Sequence, residues 1–274
     1  MASDVDPPSA VHHYTGAQGF AGIITDGRLR ATNFSFLNDP SEVQYGLNFA
    51  IDVLGSFSAR VSPQYEVLVY HVLKALAEKV ISEAYVSCFT ERFDDLSQWR
   101  AYGGSSVLER YCIGFDARVL ASTFNTRPGG RFAKVLYHPD EQESCIQAVI
   151  ERAVAFVEKN AISHENWPEV AKVVSDVIGW HLPIFKDSAY RDEAEWRIIR
   201  WHDGLAHDAL SFETSRGILR PFLPVPLPSP VPVTSVAIMA PSRKDAAQKA
   251  AEMLLRLAKV STIDVRHSSI PFAE

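Results

Sequence analysis

Four short polar motifs are set against otherwise apolar, strand-like segments: His12-His13-Tyr14-Thr15, Leu37-Asn38-Asp39-Pro40-Ser41-Glu42, Leu96-Ser97-Gln98-Trp99-Arg100-Ala101-Tyr102 and Glu193-Ala194-Glu195-Trp196-Arg197. A strand buried for packing alone takes compact, β-branched residues, so repeated His, Tyr, Trp, Arg and Glu beside strands point to a cleft. Polar groups are costly to bury singly, so strands distant in sequence are expected to neighbour one another there.

Local signals divide the rest of the chain. A strand over 10–14 leads into a helix with Thr15 and Gln18 as its capping box and Gly27 as its left-handed end. Residues 29–32 read as the next strand. Asp39 is placed as an N-cap, with Pro40 in the first turn and Glu42 as the reciprocal acceptor, and Val43, Leu47, Ile51 and Leu54 form the buried face. Ser62-Pro63 opens a helix reaching about residue 82, with Val67, Tyr70, Leu73, Ala77 and Val80 inward, packed on the sheet. Strands follow over 84–89, 111–115 and 134–137, with a short helix at 97–102. Residues 141–182 read as two helices meeting near 160–168, and 195–201 as strand. The prolines of 221–232 exclude a central strand and argue for an extended edge or surface connection. A strand at 234–239, a helix at 242–259 and a strand near 262–266 complete the chain. Helices lie in runs rather than alternating with strands, so the expected class is α+β: one domain over 1–274 with a helical insertion at 141–182.

Composition excludes several classes. The 274 residues are 47% hydrophobic and 22% charged, the balance of a soluble globular chain with a substantial core. A net charge of −6 gives no overall attraction to nucleic acid or anionic membrane. Cys88, Cys112 and Cys145 are isolated, with no CxxC pair and no secretory segment, which predicts a reducing cytoplasm. No apolar run approaches the roughly 20 residues that span a bilayer. HExxH, Walker, GxGxxG and GxSxG motifs are absent, and His202, Asp203 and His207 read as a solvated loop, so no metal is expected.

The motifs themselves carry chemistry. On a strand His12 and His13 face opposite sides, and Tyr14 and Thr15 add a ring and a hydroxyl beside the imidazole. Asn38 is not used by the cap and could meet an anionic group such as a pyrophosphate at the helix start. Trp99 and Tyr102 share a helical face beside Gln98 and Arg100, either as a core anchor or as the wall for a planar ring. Glu193 and Glu195, two apart, share a face if both are in strand; one carboxylate is available to stabilise an oxocarbenium-like transition state if Arg197 holds the other.

The order of these motifs resembles that of a bacterial family catalogued as domain-of-unknown-function family 2971. The matching pieces include His13-Tyr14-Thr15, Leu29-Arg30-Ala31-Thr32-Asn33, Leu37-Asn38-Asp39-Pro40, Ser87-Cys88-Phe89-Thr90, Asp95 to Tyr102, Ile113-Gly114-Phe115-Asp116, Glu195-Trp196-Arg197 and Arg220-Pro221-Phe222. A second likeness is to the ADP-ribosyltransferase fold of the diphtheria-toxin and poly-ADP-ribose polymerase type. That resemblance implies a mixed, mainly antiparallel split sheet with flanking helices, and NAD as substrate. It implies His13 as the NAD anchor, Glu195 or Glu193 as the catalytic carboxylate, and one of Tyr14, Trp99 and Tyr102 stacked on nicotinamide. Thr15, Asn38, Gln98 and Arg100 complete the expected NAD-binding set. The implied activity is ADP-ribosyl transfer or NAD hydrolysis, in an effector directed against phage or competing bacteria, with protein, nucleic acid or water as acceptor. The alternatives are a non-catalytic module that senses a nucleotide or binds a protein, and a nucleic-acid-processing enzyme.

Overall fold

The computed structural model describes residues 5–271 except 38, 40, 79–83, 103–108, 128, 202–209, 216 and 261–262. In chain order its elements are β1 (Ala10–Gly16), α1 (Ala17–Asp26), β2 (Arg28–Asn33), α2 (Ser41–Ser58), α3 (Glu66–Ala77), β3 (Ala84–Thr90), α4 (Leu96–Tyr102), β4 (Arg110–Asp116), α5 (Ala117–Phe124) and β5 (Gly130–Lys134). They continue as α6 (Pro139–Lys159), α7 (Trp167–Gly179), β6 (Glu195–Trp201), β7 (Ser211–Ser215), β8 (Ile218–Pro226), β9 (Val233–Met239), α8 (Lys244–Leu257) and β10 (Asp264–His267). Where the sequence suggests one domain with an insertion, the chain clusters into two compact units. A sheet unit comprises Val5–Thr32, Tyr85–Ala133 and Asp192–Glu274, and a helical unit comprises Asn33–Ala84 and Lys134–Arg191.

The sheet is mixed and mostly antiparallel, ordered β10-β9-β4-β1-β3-β2-β8-β7, with β6 pairing β3 and β5. Only β10 against β9 is parallel among the pairs whose register is described. Strand alternation sends Val11, Tyr111, Ile113 and Phe115 into the larger core with Phe20, Leu120 and Leu255, and sends Tyr14 and Cys112 into a second cluster with Trp99 and Met239. Both faces of the central strands are therefore covered. The β1–β4 ladder runs over seven residue pairs, whereas β1 meets β3 at the single pair His12 and Thr90. The sheet opens at that seam.

Several local expectations are corrected. Gly16, not Thr15, precedes α1 with no side-chain cap, because Thr15 is still paired in β1 opposite Tyr111; Gly27 does end the helix at φ 59°. The strand expected at 134–137 lies earlier, at Gly130–Lys134, and Leu136 instead forms an isolated parallel bridge with Phe185. The proline segment is not excluded from the sheet, since β8 stands between β7 and β2. Its register shows why this is tolerated: β7 pairs residues 218–222 and β2 pairs 222–226, so Pro221, Pro224 and Pro226 each have one partner strand and need not donate on the other side.

In the helical unit α3 packs on α2 and α7 rather than on a sheet, and its buried residues are Leu68, Val69, Val72 and Leu76. Val67 and Tyr70, expected inward, are exposed. The helix starts at Glu66 after a 3-10 turn at Pro63–Tyr65, which rotates its face relative to one begun at Ser62. On α2 the buried face is Glu42, Gly46, Ala50, Val53 and Leu54, one position off the expected stripe except at Leu54. Asp39 does accept from the Ser41 amide at 2.8 Å, and the Ser41 hydrogen bonds hold its carboxyl below the usual range. The Glu42 carboxylate, expected as the capping-box acceptor, is buried against Lys186 at 2.9 Å. Among the described residues no helix is long and apolar enough to cross a membrane.

Candidate functional site

The opening between β1 and β3 forms a small pocket of about 50 Å³, lined by His12, His13, Tyr14, Cys88, Phe89, Thr90, Gln98, Glu193 and Glu195. Every one of these residues belongs to the sheet unit. Along this seam the imidazoles bond to carbonyls of β3: His13 Nδ1 donates to Cys88 O at 2.8 Å and, at the one paired position, His12 Nδ1 to Thr90 O at 3.3 Å. A carbonyl can only accept, so Nδ1 carries the proton and Nε2 of each neutral ring holds the lone pair. Burial lowers both histidine pKa values; carbonyl bonding opposes this in each, and at His12 the Arg266 charge lowers it further. Arg266 stacks 4.4 Å over Phe93, which leans on the His12 ring at 5.1 Å.

The two carboxylates arrive differently from the expected strand pair. Glu193 ends a 3-10 turn at Ser188–Glu193, Ala194 is left-handed at φ 45°, and β6 begins only at Glu195. A backbone kink, not strand alternation, brings both to the pocket. The kink is held against the end of β3, since Thr90 Oγ1 donates to Glu193 O at 2.6 Å and the Glu91 amide to Ala194 O at 3.0 Å. Alternation does apply to Glu195 and Arg197, which form a bidentate pair, Nε to Oε1 and Nη2 to Oε2, both 2.8 Å. Side-chain exposure is 4% and 1%, so this is a buried ion pair.

Trp99, Tyr14 and Trp196 are anchors. Trp99 is fully buried and donates from Nε1 to Asp94 at 2.9 Å, which settles its place as core rather than pocket wall. Tyr14 packs edge-on to Trp99 at 4.8 Å, donates to Arg92 O and accepts from the Asp95 amide, and burial pushes its phenol pKa well above the usual range. Asp95 caps α4 by accepting from the Ser97 and Gln98 amides, and thereby sets Gln98 toward the pocket. Burial of Asp94 opposes ionisation, but bonds from Ser268, Ser269 and Trp99 outweigh it and hold the carboxyl low. Trp196 is likewise core, stacked on Phe132 and bonded to Glu91 at 2.8 Å.

The pocket thus unites His13, Tyr14, Gln98, Glu193 and Glu195 of the expected set. Thr15 lies outside it over the start of α1, where a Cβ on Gly19 would meet its Oγ1. Arg100 is exposed on α4 and does not line it. Asn38, His202, Asp203 and His207 lie outside the described residues, as does the side chain of Tyr102. His12, Cys88, Phe89 and Thr90 also line the pocket, and alternation had set His12 apart from His13. The pocket follows the seam between two strand edges, so residues on both faces reach it. Among the described residues no cluster of His, Cys, Asp or Glu is placed to hold a metal ion.

No curated protein and no solved structure matches the chain. Residues 98–198, which carry Gln98, Glu193 and Glu195 but not the histidine strand, match the model of the family described as Protein of unknown function (DUF2971).

Proposed function

We propose that this pocket is the reacting end of an NAD-consuming site, acting by ADP-ribosyl transfer or NAD hydrolysis on an ADP-ribosyltransferase-like fold. The observation that carries the reading is the convergence of His13, Gln98, Glu193 and Glu195 at the seam where β1 leaves β3. In that chemistry the bond from ribose C1 to the nicotinamide nitrogen breaks, and the electron pair leaves with nicotinamide. Water or an acceptor nucleophile then attacks C1. A carboxylate in a poorly solvated pocket stabilises the sugar cation. Glu193, which the kink brings to the pocket, is assigned that role, and Glu195, both of whose oxygens accept from Arg197, positions the strand. His13 Nε2 and the Gln98 amide are assigned to ribose hydroxyls or the carboxamide. At about 50 Å³ the pocket is a subsite for one small group, and the rest of the dinucleotide would lie beyond it. Such an activity suits an effector in defence against phage.

Its size also favours a second reading, a non-catalytic module that senses a nucleotide. Incubating the protein with NAD and following nicotinamide by chromatography, beside calorimetric titration, separates the two. Release that Glu193→Gln lowers by on the order of a hundredfold is expected; NAD binding without release supports the sensor, and neither binding nor release rejects both.

A further inference from the structure

We infer that the groove between α6 and α7 is the docking surface for a second copy of this chain. The two helices pack against each other in the helical unit, yet leave a hollow of about 610 Å³ along their outer side, floored by small apolar residues such as Val149 and Val170. Its lips are apolar and prominent: Phe156 is 53% and Val173 62% exposed. A surface that offers both apolar knobs and an apolar hole meets the requirement of a two-fold interface, in which one patch must complement itself. Its charges are self-complementary too. Arg152 on α6 lines the groove and makes no ion pair among the described residues, while Glu169 on α7 lines it with the opposite sign, paired with its exposed neighbour Lys172 at 2.8 Å. In an isologous pair each Arg152 meets the partner's Glu169, whereas a partner of uniform charge would leave one of them opposed. Two hairpins packed in this way form a four-helix arrangement.

Sedimentation of the full chain tests this over about 1 to 100 µM, where weak dimers dissociate. The expected result is a dimer whose dissociation constant rises at least tenfold in Val173→Glu, with an unchanged circular dichroism spectrum because Val173 is exposed. Phe156→Lys, on the other lip, serves if Val173→Glu does not fold. Arg152→Glu should weaken the dimer, and Arg152→Glu combined with Glu169→Arg should restore it. A mass of one chain at every concentration, with or without an apolar small molecule bound in the groove, would overturn the inference. So would a dimer indifferent to both lip variants, or no recovery in the double variant.

Discussion

Replacing Glu195 by Gln isolates the buried ion pair at the centre of the site. The substitution preserves shape but turns one carboxylate oxygen into an N–H that faces an N–H of Arg197, where now both oxygens accept at 2.8 Å. The side chains are 4% and 1% exposed, so water cannot readily replace the lost acceptor. Removing one partner of such a pair costs about 3–5 kcal/mol, because the remaining charge stays desolvated. For a chain of this size each kcal/mol moves the melting temperature by roughly 2–4 °C, so a fall of about 6–20 °C is expected. Thermal melts with urea titration measure it, and a double-mutant cycle with Arg197→Met should return a coupling of about 1–3 kcal/mol. A Glu195→Gln variant that melts within a degree of the parent, or a coupling near zero, would refute the structural role. If that variant kept its stability and NAD affinity but lost nicotinamide release, Glu195 rather than Glu193 would be the catalytic carboxylate.

Glu193→Gln should lower nicotinamide release by on the order of a hundredfold. Because burial depresses the pKa of both His12 and His13, the unfolded chain binds protons that the folded one refuses; stability is complete above about pH 6.5 and declines as pH falls below it. Melting temperatures from pH 8 to 5 should show this decline, and a His12→Gln variant should flatten it; an equal slope in both proteins would discount His12. At Ala194, φ 45° is strained for any residue with a Cβ and worst for a branched one. Urea unfolding should find Ala194→Val destabilised by about 1–2 kcal/mol and Ala194→Gly near the parent, and equal values would contradict the kink.

Much of the element order was legible because local physics decides it. The strand at 10–14, the left-handed stop at Gly27, the paired helices of 141–182 and the strand from Glu195 follow from alternation, φ preference and helical period. The polar motifs also announced a cleft, and the family likeness is supported over 98–198. Helix faces were less legible: two polar residues, Glu42 and Lys186, pair in the interior, and the buried face of α2 includes Glu42 rather than Val43. Likewise the prolines of β8 read as breakers only until the register shows that each needs one partner. What tertiary structure alone decided is which strand edges come apart. The seam between β1 and β3 depends on contacts between residues more than seventy positions apart, such as His13 with Cys88. Hence the sequence named His13, Gln98 and the two glutamates as candidates, but not that His12 joins them, that Trp99 leaves for the core, or that Arg197 takes Glu195. Those outcomes are set by which partners desolvation brings within hydrogen-bonding distance, and no local pattern encodes them.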